Sequence, residues 1–331
     1  MKYLVFIFFL LSISLRAQKT YTGKILSAKD STALQGVSIY FDGTSLGTTS
    51  NEKGLFKIKN TASNISPLIF RSIGYTTRTV PNISVFEDDN FPIVFLEESI
   101  DQLETVVLET DPWTREHKLR VFRREFLGKT EAATKSKIIN EEVIKLKYSP
   151  SKGELIAFAN KPIIIENKYL GYIIEYELMD FTVKYSTGSS GLQLVDFTFY
   201  EGSSFFKELK KKTKRRFLKH REEAFNGSLL QFMRALANKT LAEHNFRIFH
   251  ERFEVPSYKY FDIQPKEDFT LIKMLTEELS ILYENQQSAI IYKNPFYIDE
   301  FGNFTPTRAF SISGFMGQSR IANLLPLNYG L

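Results

Sequence analysis

The sequence predicts two unlike halves, an all-β sandwich over residues 19–109 and a β-rich α+β domain over residues 110–331. Three observations lead there. Up to residue 108, short β-type runs recur every 10 to 15 residues, separated by Gly, Asn, Asp and Ser, with no helical period between them. Asp111-Pro112 interrupts that pattern, and the apolar residues after it return at helical spacing. Further on, strand-like and helical segments are mixed, with no internal repeat and no low-complexity linker.

Residues 1–17 read as a secretory signal peptide. Lys2 precedes an apolar run from Tyr3 to Leu11, and Ala17 offers a small residue for cleavage before Gln18. The run is far shorter than the roughly 20 residues a membrane-spanning helix needs. The mature chain is therefore expected to be exported, to a periplasm or the periphery of an outer membrane. In the first half the β-type runs are residues 23–27, 37–41, 46–50, 55–59, 68–72, 76–80, 93–96 and 105–108. Leu55-Phe56-Lys57-Ile58-Lys59 alternates as a strand with one wet face, and Asn51-Glu52-Lys53-Gly54 ahead of it supplies a turn whose glycine suits positive φ.

In the second half Asp111 is expected to cap a helix with Pro112 at its first position and Gly128 just past its end. Leu119, Phe122 and Phe126 share one face of it, and with Trp113, the single tryptophan, they are expected to pack between the domains. Strands are expected over residues 155–159, 163–165, 169–185, 195–200, 248–255, 288–292 and 296–298, and a helix over 228–236 capped by Ser228.

Composition narrows the chemistry. The 331 residues contain 30 Phe, 16 Tyr and no Cys. Without cysteine there are no disulfides, thiolate nucleophiles, zinc-thiolate sites or lipid anchors on an N-terminal cysteine. None of the histidines (His117, His220, His244, His250) stands in a His-Glu-x-x-His arrangement, and no Gly-x-Gly-x-x-Gly, P-loop or calcium-loop spacing occurs. Gly43-Thr44-Ser45-Leu46-Gly47 fits the nucleophile-elbow pattern, but Thr48-Thr49-Ser50-Asn51 is a poor helix start, so a strand-to-strand connection is expected. The acid pairs Asp88-Asp89, Glu97-Glu98, Glu141-Glu142, Glu222-Glu223 and Glu277-Glu278 are adjacent only in sequence. Adjacent side chains diverge, so these read as solvated charge. No catalytic residue, cofactor or metal site is expected.

The net charge of +5 is unevenly spread. Lys207, Lys210, Lys211, Lys212, Lys214, Arg215, Arg216, Lys219 and Arg221 crowd a stretch whose one acid is Glu208. It reads as a solvated loop entering a charged helix, with Phe217 and Leu218 turned inward. Lys210, Lys211, Lys212, Lys214, Arg215 and Arg216 are the candidate contacts to an anionic envelope surface, where each would contribute about 1 kcal/mol, less in salt. Export argues against nucleic acid as the partner. The aromatic segment 296–304 is a candidate sugar-stacking platform, and reads equally as a hairpin turning near residues 300–303.

At this point a family resemblance becomes specific. Gly23-Lys24-Ile25, Ala33-Leu34-Gln35-Gly36-Val37-Ser38-Ile39-Tyr40 and the stretch from Gly43 to Phe56 resemble the carboxypeptidase-like regulatory domain. Phe70-Arg71-Ser72-Ile73-Gly74-Tyr75 resembles its aromatic-x-x-Ile-Gly-Tyr signature, and Val94-Phe95-Leu96-Glu97-Glu98 with Leu103-Glu104-Thr105-Val106-Val107-Leu108 its closing strands. The resemblance implies a seven-stranded transthyretin-like sandwich without an active site of its own, which accompanies a peptidase or precedes an outer-membrane receptor barrel. A receptor barrel would need more residues than follow here, and no zinc-carboxypeptidase ligand set is expected.

Arg124 to Thr130, Asn167 to Tyr172, Gly227 to Leu236 and Arg320 to Tyr329 are similar to the C-terminal region of envelope proteins that begin with the same sandwich and have no assigned chemistry. The expectation is a non-enzymatic protein of a Gram-negative envelope that binds or scaffolds, its partner an envelope protein, a glycan or an anionic membrane surface. One alternative is a hydrolase of envelope peptide or glycan, which requires at least two of His220, His244, His250, Glu254 and Asp262 to meet in a cleft. Another is a periplasmic accessory of an outer-membrane receptor or secretion system. The oligomeric state stays open.

Overall fold

The structure, a computed structural model, describes residues 19–60, 66–81, 83, 91–99, 110–187 and 193–331. The expected signal peptide and the expected strand at 105–108 lie outside the described residues. Strands β1 (Lys19–Ser27), β2 (Ser38–Phe41), β3 (Gly47–Thr49), β4 (Leu55–Asn60), β5 (Leu68–Arg71), β6 (Arg78–Val80) and β7 (Val94–Leu96) form two sheets, ordered β4-β1-β7 and β3-β2-β5-β6. Tyr21, Ile25, Phe56, Ile58 and Val94 from the first meet Val37, Ile39, Phe41, Leu68 and Phe70 from the second in one core. The alternation read at residues 55–59 is what closes it: Phe56 and Ile58 are buried while Lys57 and Lys59 face water.

The chain then enters helix α1 (Arg115–Leu127), capped by Thr114, whose hydroxyl accepts the His117 N–H. The expected cap, Asp111, lies three residues before the actual cap, Thr114. Its carboxylate instead accepts the N–H groups of Trp113 and Tyr148 and pairs with Lys118, which fixes the connection rather than the helix end. Gly128 follows the last turn at φ 103°, as expected of a C-terminal glycine. Past the short α2 (Glu131–Thr134), strands β8 (Ser136–Ile138), β9 (Ile144–Ser149), β10 (Glu154–Ala159), β11 (Ile163–Asn167), β12 (Tyr172–Thr187) and β13 (Gln193–Glu208) build a six-stranded sheet. β12 is its spine: β11 and β10 share one edge of it, and β13 pairs along the other from Tyr172–Glu208 to Thr187–Gln193. Phe122 and Phe126 pack from α1 onto Phe181 and Tyr176 of this sheet.

A further core follows. Helices α3 (Arg215–Phe225) and α4 (Leu229–Ala237) lead into strands β14 (Phe246–His250), β15 (Phe253–Val255), β16 (Phe261–Pro265), β17 (Phe269–Met274), β18 (Glu278–Tyr283), β19 (Gln286–Tyr292), β20 (Phe296–Asp299), β21 (Phe304–Thr305) and β22 (Phe310–Ser313), then α5 (Gly314–Gln318). The strands form sheets ordered β15-β14-β18-β19-β22 and β16-β17-β20-β21, and the face of α4 bearing Phe232, Met233 and Leu236 is buried with them. Ser228 caps α4 as expected. The run expected as one strand over 248–255 is a hairpin, because Glu251 and Arg252 both take positive φ and reverse the chain. After α5 the tail returns to the first core, where Ile321, Ala322 and Leu325 join Phe122 and Phe126. The chain is thus β-rich with few helices, and residues 110–331 supply two cores.

The sandwich is joined to the rest by the turn between β2 and β3. Gly43 N–H donates to Ser204 O at 2.8 Å, Phe206 N–H to Thr44 O at 3.0 Å, and Leu327 N–H from the tail to Gly43 O at 2.7 Å. Tyr40 stacks on Phe205 with ring centroids 4.9 Å apart, and its hydroxyl shares a hydrogen bond with Ser203 Oγ. Approach is close enough to require glycine: a Cβ on Gly47 would lie 2.4 Å from Phe205 Cζ, and one on Gly43, at φ +72°, 2.5 Å from Leu327 Cδ1. Gly47→Val is therefore expected to lift the sandwich off β13 at a cost of about 1–3 kcal/mol. Hydrogen exchange at the Phe206 and Leu327 amides would accelerate while the sandwich core stays protected; unchanged exchange would refute the packing argument.

Candidate functional site

The basic run begins in the last residues of β13 and ends within α3. Three of its cations are neutralised. Lys207 pairs with Glu175, and Lys219 with Glu223 one helical turn on. Arg221, almost fully buried, forms a double hydrogen bond with Glu208, donates to the carbonyls of Leu170 and Gly171, and lies over the Tyr172 ring at 3.7 Å. The six others, Lys210, Lys211, Lys212, Lys214, Arg215 and Arg216, are all exposed, and no acid among the described residues pairs with them. Arg216 lies over the Phe217 ring at 5.0 Å.

Local structure explains why they cluster. α3 starts at Arg215 with Lys214 at its cap position, no side chain caps it, and its first turn holds no acid. Cations therefore surround the positive end of a helix dipole, an arrangement that works against helix stability and favours a nearby anion. Phe217 is 2% exposed and anchors α3, in part by filling the space over Gly171, whose Cβ would lie 2.3 Å from the Phe217 ring. Leu218, expected to turn inward, is 51% exposed, because it lies about 100° round the helix from the buried Phe217. Lys210, Lys211 and Lys212 lie in the bend before α3, and Lys214, Arg215 and Arg216 at its start, so the run is a loop entering a charged helix, as the sequence predicts.

The other singled-out residues are placed as follows. Trp113 stacks face to face on Tyr148 at 3.8 Å and meets His117 and Tyr185 edge on. Phe122 and Phe126 are fully buried in the core of the six-stranded sheet, and Leu119 is half-buried. Among the described residues, contacts with the sandwich include those of Phe205, Ser203, Ser204, Phe206, Glu177, Leu327 and Asn328. In the aromatic segment, Phe296 and Phe301 are buried, and Tyr297 is exposed with its edge on Phe269. This segment forms the β20–β21 hairpin, whose turn is held by Asp299 accepting the Phe301 and Asn303 N–H groups.

Ser45 lies in the strand-to-strand turn, where its N–H and hydroxyl meet Asn328. His220 and Glu223 stand three residues apart on α3, the spacing of a zinc-carboxypeptidase pair, but are otherwise engaged. His220 stacks on Tyr169 with Nδ1 2.9 Å from the Tyr169 carbonyl, and Glu223 pairs with Lys219. His250 stacks on Tyr260 and meets Thr276 Oγ1, Glu254 pairs with Arg247, and Asp262 accepts from Gln264. Among the described residues no helix is long and apolar enough to cross a membrane.

Two features escaped sequence reasoning. Arg234 reaches from α4 to the carbonyls of Phe301, Leu327 and Tyr329, and thereby pins the tail that touches the sandwich. Asp42 sits at the joint accepting the Ser204 N–H at 2.8 Å, and burial pushes its carboxyl up to about 6. The available signal was only that Arg234, Gly43 and Leu327 fall inside recognisable motifs; no periodicity links positions so far apart in sequence.

The chain is similar to chains in two mutant crystal structures of the type II cohesin–X–dockerin complex from Acetivibrio cellulolyticus. For the C-terminal interface mutant the likeness is 19% identity over 35% of this chain and 79% of that one, with a TM-score of 0.22. For the N-terminal interface mutant it is 20% identity over 34% and 78%, with a TM-score of 0.23. No curated protein matches. Residues 21–108 match the family model of the CarboxypepD_reg-like domain, over the same strands that build the sandwich. The N-terminal sandwich of this chain is therefore a carboxypeptidase-like regulatory domain.

Proposed function

We propose that the protein is an exported, non-enzymatic envelope protein, a binding or scaffolding module that rests on an anionic surface through Lys210, Lys211, Lys212, Lys214, Arg215 and Arg216. In this reading residues 1–17 are removed on export, and the sandwich has the seven-stranded transthyretin-like topology implied by its family. The observation that carries the surface contact is the division of the basic run: Lys207, Lys219 and Arg221 have acidic partners, while the remaining six are gathered, exposed, around one uncapped helix start. At about 1 kcal/mol each, even half of them would give measurable peripheral binding.

The test is co-sedimentation with vesicles. Binding is expected to vesicles containing an anionic phospholipid and not to pure phosphatidylcholine, to weaken steeply between low and high salt, and to fall about tenfold or more in the K211E/K212E/R215E variant. Equal binding to neutral vesicles, or by the charge-reversed variant, would overturn the surface contact. Cell fractionation tests export separately: recovery of the native protein in the cytoplasm would sink that part.

A further inference from the structure

β13 is the outermost strand of the six-stranded sheet, and only part of its outer edge is used. Among the described strands it pairs along its length with β12 alone, apart from the single bridge of Phe205 to Thr44. Near its C-terminal end the main-chain groups of Ser204 and Phe206 turn outward, and Asp42, Gly43 and Thr44 of the sandwich meet them. Main-chain groups of an antiparallel strand alternate between its two edges. The same outer edge therefore carries the N–H and C=O groups of Gly202, Tyr200 and Thr198, and no strand among the described residues pairs with them there.

The surroundings suit an extended ligand. Leu194, Val195 and Phe197 are exposed on this end of β13, and from Gln193 to Phe206 the strand carries Asp196 and Glu201 but no Lys or Arg. The surface already receives one cation: Arg308 lies 3.8 Å from the Phe199 ring centroid and pairs with Asp180 of β12 at 2.9 Å. An apolar edge whose main-chain groups no described strand pairs is a template for strand addition.

We propose that the open edge of β13, at Thr198, Tyr200 and Gly202, takes up an extended segment of a partner protein in which basic residues alternate with apolar ones. The incoming strand continues the edge pairing that the sandwich begins at Ser204. Its apolar side chains cover Leu194 and Phe197, and a basic one meets Asp196. A second copy of the chain is a poorer occupant, because β13 paired with itself sets two acidic strands together without a compensating cation. The edge shares no residue with the Lys210–Arg216 cluster, so the two sites stand or fall separately.

The probe is a fluorescent Lys-Val-Lys-Val-Lys-Val-Lys peptide added to the full chain. Binding is expected to slow hydrogen exchange at the Thr198, Tyr200 and Gly202 amides about tenfold or more. Asp196→Lys, an exposed substitution, is expected to weaken binding about tenfold. N-methylation of alternate peptide nitrogens, in one of the two possible frames, is expected to abolish it while leaving charge and side chains intact. No binding, or equal binding of both N-methylated peptides, overturns strand addition. Protection of these amides without peptide, rising with protein concentration, overturns the heterologous occupant in favour of a second copy.

Discussion

Arg234→Ala is expected to destabilise the C-terminal half by about 3 kcal/mol or more, and to loosen the sandwich as well. The guanidinium donates through Nε to Phe301 O at 2.8 Å, through Nη1 to Tyr329 O at 2.8 Å and through Nη2 to Leu327 O at 2.7 Å, and it lies over the Phe225 ring. Burial lowers its pKa to about 10, so it remains charged at neutral pH, with Asp299 as the nearby acid. Truncation leaves three carbonyls without their donor and opens space beside Gly302, whose Cβ would lie 2.6 Å from Arg234 Cγ. Lysine is a poor substitute, because one ammonium does not reproduce a planar fork that serves three acceptors.

The effect reaches further because Leu327 also donates its N–H to Gly43. The expected result is a lower urea midpoint for Arg234→Ala, partial recovery for Arg234→Lys, and faster hydrogen exchange at Leu327 in both. An unchanged midpoint in the alanine variant would refute the assigned role.

How much of this was legible depends on how local each cause is. The sandwich could be read because its strands alternate residue by residue, as at Phe56 and Ile58, and because its turns carry glycine. The α4 helix could be read from Ser228 and an apolar stripe. The start of α1 was misplaced because Asp111 and Thr114 are both good caps, and only the tertiary partner Tyr148, whose N–H Asp111 accepts, decides between them. The strand expected over 195–200 stops at Tyr200, short of the observed end of β13. β13 runs on to Glu208 because β12 keeps pairing with it to Tyr172, through two register shifts, and the sandwich covers Ser203 and Phe205. The cationic cluster was visible as composition. Of the three neutralised members, Lys219 follows from helical spacing to Glu223, whereas Lys207 and Arg221 depend on Glu175 and Glu208 of the paired strands β12 and β13, which no local pattern encodes.

The joint at Asp42 is expected to be stronger in mild acid than at neutral pH. Asp42 accepts the Ser204 N–H, which together with the neighbouring Gly43 N–H favours its charged form, but burial outweighs them, and the charge of Glu177 across the joint adds to the upward shift. Glu177 takes a hydrogen bond from Thr77 on one oxygen and buries the other, which has no partner among the described residues. A carboxyl whose pKa rises from 3.8 to about 6 on folding supports the folded state fully below pH 4 and loses that support as pH rises through 6. The loss amounts to at most about 3 kcal/mol, equivalent to a factor of about a hundred in joint opening.

Exchange at the Gly43, Phe206 and Leu327 amides, corrected for the intrinsic pH dependence, should therefore accelerate between pH 4 and pH 7. Asp299, also pushed up to about 6 by burial, titrates in the same window. The distinguishing variant is Asp42→Asn, which keeps an oxygen to accept the Ser204 N–H and removes the buried charge. It should flatten the pH dependence at those three amides and hold the joint at pH 7 as tightly as the native protein does at pH 4, whereas Asp299→Asn should leave the dependence in place. A joint equally closed at both pH values in the native chain would show that the Asp42 charge is solvated there, and that docking rests on Tyr40, Phe205 and Leu327 alone.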